Sequence, residues 1–133
     1  MKKIVVVFVI CLLAMPAGIF AVTENDARNV ANETLLNLME LNLLLQGIKK
    51  KEDITAQVKT GITQVVKKMK ALKNKVNAMK RSATPQQIKL LDDQFNKGQY
   101  AIALKKAVVT FFEHVKRIRT ISGGEEIANM VVI

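Results

Sequence analysis

Residues 53–83, DITAQVKTGITQVVKKMKALKNKVNAMKRSA, decide how this chain folds. Val58, Ile62, Val65, Met69, Leu72, Val76, Met79 and Ala83 recur at alternating steps of four and three. That spacing places all eight on one narrow stripe of an α-helix, the seam of a coiled coil. The predicted helix begins near Asp53, whose side chain can cap it, and reaches about Arg81. Opposite the stripe the sequence sets Lys59, Lys67, Lys68, Lys70, Lys73, Lys75 and Lys80. The reading is a helix that buries one seam and shows ammonium groups to solvent or to a partner. Gly61 is its weak point.

Upstream, Glu24–Gln46 has helical spacing of a different kind. Leucines at 35, 36, 38, 41, 43, 44 and 45, with Met39, cover nearly the whole circumference. Only Asn29, Glu33, Asn37 and Glu40 leave a polar stripe, so this helix needs burial on several sides and is expected at the centre. Thr23 and Asp26 form a capping pair, and Gly47 is a stop. Downstream, Thr84-Pro85-Gln86-Gln87 is a helix start with an N-cap, a first-turn proline and a capping box. Ile88, Leu91 and Phe95 form its apolar face. From Tyr100 the pattern resumes with Ala101, Leu104, Val108, Phe111, Val115 and Ile118, out of phase with the first stripe. A break or sharp kink near Gly98 is therefore expected. Ser122-Gly123-Gly124 ends this segment, and EEIANMVVI (125–133) reads as a short helix folding back on the bundle. No stretch shows strand alternation.

The expected fold is thus all-α: an antiparallel bundle of three long helical segments, the third broken near Gly98, with a short C-terminal helix. Residues 1–21 carry Lys2 and Lys3, an apolar run Ile4–Ala14, then Pro16, Gly18 and Ala21. That order is expected of a secretory signal peptide, leaving 22–133 as one domain and a secreted protein. The only cysteine, Cys11, lies in the leader, so residues 22–133 contain no disulfide and helix packing must stabilise them.

Positive charge is concentrated. Residues 22–48 have a net charge of −3, residues 49–81 of +9 and residues 82–133 of +2. A local excess of this kind points to an anionic partner. Nucleic acid fits poorly, since residues 49–81 hold ten Lys, one Arg and no aromatic residue for stacking. Anionic lipid head groups or sulfated glycans tolerate such diffuse charge, with Lys67, Lys68, Lys70, Lys73 and Lys75 as the contact residues. The leading expectation, with the cationic face as the alternative, rests on the abundance of apolar side chains: an apolar or amphipathic ligand such as a fatty acid held between the helices. Leu38, Met39, Leu41, Met69, Leu72, Phe111 and Phe112 are its candidate lining.

Catalysis has little to work with. His114 is the only histidine, and Ser82 and Ser122 are the only serines, each at a helix end. No spacing suits a metal, and no cofactor motif occurs. The carboxylate pairs Glu52-Asp53, Asp92-Asp93 and Glu125-Glu126 point about 100° apart on a helix, so neither member faces a shared proton. A non-enzymatic protein is expected. Asn32-Glu33-Thr34 is a glycosylation sequon.

Two resemblances complete the reading. Lys97-Gly98-Gln99-Tyr100, with Ala103-Leu104 and Lys106-Ala107, is similar to the hairpin turn of a tetratricopeptide repeat, present once. Lys80-Arg81-Ser82, a polar turn, then a helix bearing Phe95 and Asn96 resembles the group five and group twenty-one dust-mite allergens. The length, the leader and the order of three helical segments are also similar. The strong positive charge departs from that family. The resemblance implies an antiparallel bundle that pairs into homodimers around an apolar cavity, and it transfers no functional residues.

Overall fold

The computed structural model describes residues 22–132, so the expected signal peptide lies outside the described residues. Every long element is helical: α1 (Glu24–Gln46), α2 (Ala56–Arg81), α3 (Pro85–Asn96), α4 (Ala101–Ile118) and α5 (Gly124–Met130). A 3-10 turn at Lys51–Asp53 joins α1 to α2.

The helix starts follow from local chemistry. Thr23 Oγ1 accepts from the Asp26 amide at 3.1 Å, and the Asp26 carboxylate accepts from the Thr23 amide at 3.0 Å. These bonds hold the Asp26 carboxyl below the usual aspartate range. Thr84 and Gln87 make the same reciprocal box at the start of α3, with Pro85 in the first turn. Asp53, expected to cap α2, does not. Its carboxylate accepts from the amides of Lys49 and Lys50 at 2.9 and 3.0 Å, and those bonds lower its pKa. Thr55 caps α2 instead, accepting from the Val58 amide. Asp53 sits one short turn too early and secures the connection.

The end of α1 is closed from a distance. Its last turn contains no basic residue, and Gly47 keeps a right-handed backbone. Arg117 on α4 reaches across and donates to the carbonyls of Ile48 and Leu45, the latter at 3.0 Å. A guanidinium at a helix C-terminus satisfies orphan carbonyls and the macrodipole together.

Cross-helix contacts give the directions. Glu33 pairs with Lys75 and Glu40 with Lys68, so α1 and α2 are antiparallel. Asn42 donates to the Ala107 carbonyl at 3.0 Å and Arg117 meets Leu45 and Ile48, so α4 runs the same way as α1. α3 and α4 are the third segment, broken at Gly98 as expected. A Cβ on Gly98 would lie 2.7 Å from the Gln94 carbonyl oxygen, so only glycine allows this tight break.

α1 is the central helix. It packs against α2, α3 and α4, whereas α2 and α4 approach each other much less closely. Leu38, Leu41 and Leu45 of α1 are buried with Ile62, Val65, Met69, Leu72 and Val76 of α2 and Leu104, Phe111, Val115 and Ile118 of α4. A smaller cluster of Val22, Ala27, Ala83 and Leu91 lies about the start of α1 and the α2–α3 turn. α5 folds back against α4 and α2, and Ile127, Ala128 and Val131 join the main core. Gly123 makes the reversal with φ +82°, and a Cβ on Gly124 would fall 1.8 Å from the Ile118 carbonyl oxygen.

These glycines should separate in a substitution test. Gly124→Ala is expected to lower unfolding stability by about 2 kcal/mol or more, because the turn must rebuild. Gly61→Ala meets only the end of the Leu44 side chain at 3.3 Å. It should be neutral or stabilising by up to about 1 kcal/mol, the helix-propensity gain. Urea unfolding of the two variants measures both.

Candidate functional site

The helices bring their apolar side chains together in one main core. Of the seven residues expected to line a ligand cleft, Leu38, Leu41, Met69, Leu72 and Phe111 are buried in the close-packed core. Phe112 is half-buried and meets Phe111 edge to face, with ring centres 6.0 Å apart. Met39 is exposed to solvent on the outer face of α1. The seven are therefore not gathered around one space. Three open surface hollows of about 380–390 Å³ lie elsewhere, and only Leu72 among the seven lines any of them.

The lysine residues have a different arrangement. α2 contains no Asp or Glu over its 26 residues. Lys67, Lys68, Lys70 and Lys75 are exposed, and Lys73 is half-buried. At 100° per residue they spread over more than half of the helix circumference instead of forming a single row. Lys68 and Lys75 turn toward α1 and pair with Glu40 at 3.3 Å and Glu33 at 3.6 Å. Lys70 lies on the other flank. Lys59 is half-buried and bonds Glu126 of α5 at 3.0 Å. Exposed pairs of this type contribute little to stability and exchange readily with other anions.

Lys80 corrects the expected row. It is fully buried, because it follows Val76 by four residues and shares the seam's side of α2. Its Nζ lies 3.6 Å from Asp92 Oδ1 in the middle of α3, and neither atom has a hydrogen-bond partner. Burial drives the Lys80 ammonium below the usual lysine range, and the Asp92 charge opposes that shift. Burial likewise pushes the Asp92 carboxyl up, against the pull of Lys80. A polar pair in this state ties the end of α2 to α3 at an energetic cost.

The third hollow, at the end of α1 and α4, contains Lys49, His114, Arg117 and Thr120. His114 Nδ1 lies 3.2 Å from Arg117 Nη2. Since guanidinium only donates, Nδ1 accepts and a neutral ring carries its proton on Nε2. Burial first, then the Arg117 charge, lowers the His114 pKa. Neither serine lines this hollow, so no nucleophile accompanies the imidazole there. Among the described residues, no three metal-ligating side chains converge and no helix is long and apolar enough to cross a membrane.

What the sequence reading missed is an exposed apolar stripe on α1. Leu36, Met39 and Leu43 are 54 %, 48 % and 70 % exposed. Their spacing of three and four puts them on one face. Leu36 shares a groove with Ala71, Leu72, Lys68 and Lys75 of α2, so apolar and cationic groups meet along the α1–α2 edge. No family model matches the chain, and no curated protein or solved structure matches it either.

Two outcomes follow from the buried groups. Asp92→Asn leaves the Lys80 ammonium without its counter-charge and should destabilise by about 3 kcal/mol. That is the low end for a broken buried pair, since Asp92 is one-third exposed. The double change Lys80→Met with Asp92→Leu should be neutral or stabilising in the same urea assay. For His114, a folded pKa below the unfolded value makes protonation favour unfolding. Its contribution is present above about pH 6.5 and lost as pH falls through the lowered value. The unfolding midpoint should therefore drop as the pH falls below about 6.5, and His114→Gln should flatten that step.

Proposed function

We propose that this chain is an exported, non-enzymatic helical bundle that binds anionic lipid surfaces through α2 and the α1–α2 edge. The observation that carries the reading is the acid-free solvent face of α2, with Lys67, Lys68, Lys70 and Lys75 exposed together. Clustered lysines near an anionic membrane each contribute about 1 kcal/mol, without specific geometry. The Glu33 and Glu40 partners do not remove this capacity, because surface ion pairs are worth about as much as the contacts that replace them.

The composition of the face supports lipid over other polyanions. α2 has one arginine, at its last position, and no aromatic ring, so bidentate and stacking contacts to nucleic acid lack their usual residues. Sulfated glycans would use the lysines but not the adjoining leucines. A fatty ligand between the helices is the less supported reading, since entry would require separating Leu38, Leu41, Met69 and Phe111 from their neighbours.

Co-sedimentation with vesicles tests the proposal. The protein should partition onto phosphatidylserine-containing vesicles, not onto neutral phosphatidylcholine ones, and added salt should release it. Replacing Lys67 and Lys70 by Gln should weaken partitioning about fivefold for each lysine. Equal binding to neutral vesicles, or an unchanged affinity in that double variant, would overturn the reading. Retention on heparin without vesicle binding would transfer the lysine face to glycans.

A further inference from the structure

Resting on the surface reading above, we propose that the Leu36–Met39–Leu43 stripe of α1 inserts into the interfacial layer of an anionic bilayer, beside the Lys68 and Lys75 ammonium groups. The stripe is two helical turns long, about 10 Å, and lies parallel to the α1 axis. Three large apolar side chains at roughly half exposure or more, on one face, form a patch and not scattered surface residues.

Its surroundings point to the occupant. Leu36 lines the same groove as Lys68 and Lys75, together with buried Leu72 and exposed Ala71. Glu40, which binds Lys68, stands three residues before Leu43 and four after Leu36. Glu33, which binds Lys75, precedes Leu36 by three. Each ammonium is thus held at the edge of the stripe, on a long stem that can extend toward phosphate while the leucines enter the acyl boundary. This is the arrangement of an interfacial amphipathic helix, with apolar insertion and basic flanks acting together. A protein partner is the weaker match. Stable protein interfaces are depleted in lysine and centred on Trp, Tyr or Arg, and this stripe contains none of the three.

The exchange of partners has a direction. In solution Glu33 and Glu40 neutralise Lys75 and Lys68, and on an anionic surface the same carboxylates are repelled. Removing them frees two lysines without altering the stripe. Glu33→Gln with Glu40→Gln should therefore tighten binding to anionic vesicles several-fold.

The chain contains no tryptophan, so Leu43→Trp supplies a single reporter at the most exposed position of the patch. With phosphatidylserine vesicles its emission should shift to the blue and be quenched by brominated acyl chains. Neutral vesicles should leave it unchanged. Leu36→Gln with Leu43→Gln should lower partitioning by about tenfold or more while preserving its salt dependence. If the Trp variant sediments with anionic vesicles but its emission stays that of water, insertion is overturned and the lysine-surface reading stands. If the variant and the parent protein both fail to sediment, the surface reading falls and the insertion with it. A blue shift that grows with protein concentration in the absence of lipid would overturn insertion in favour of pairing between two copies of the chain.

Discussion

The fold depends on the burial of α1. Its leucines leave no single apolar side, so one neighbouring helix cannot cover them. α2 takes one flank, α3 and α4 take the other, and the break at Gly98 lets the second flank follow α1 in two pieces. Residues 22–133 hold no cysteine, so nothing covalent assists. Polar contacts across the same helix set its register. Asn42 reaches the Ala107 carbonyl, and Arg117 closes the open end of α1. Both anchor α4, the helix that α1 meets most extensively.

Much of this architecture was legible because short-range chemistry determines it. The capping boxes at Thr23 and Thr84, the seam of α2, the stop at Gly98 and the fold-back of 125–131 all appear where spacing and residue type put them. Lys80 shows where such reading fails. Its position belongs to the buried side of α2, whereas its chemistry favours solvent, and in the folded chain helical period outweighs residue type. Asp53 failed for the opposite reason. An acid two residues before a threonine cap has the right chemistry at the wrong register.

The site was less legible than the fold. Leu38 and Leu41 have the same composition and helical context as Leu36 and Leu43, yet the first two are buried and the last two are exposed. What separates them is how many sides of α1 its neighbours cover, a tertiary quantity no local pattern contains. The excess of apolar residues was real. It lies partly outside the bundle, along the lysine-bearing edge.

The reversal at Gly123–Gly124 has a consequence for the order of assembly. Ile127, Ala128 and Val131 cover side chains of helices that precede them by as many as seventy residues, and Glu126 fastens Lys59. The α1–α2 hairpin can form from nearby contacts, but the core it starts stays open at one end until residues 124–131 arrive. During synthesis the core thus remains incompletely closed until residues 124–131 have emerged from the ribosome.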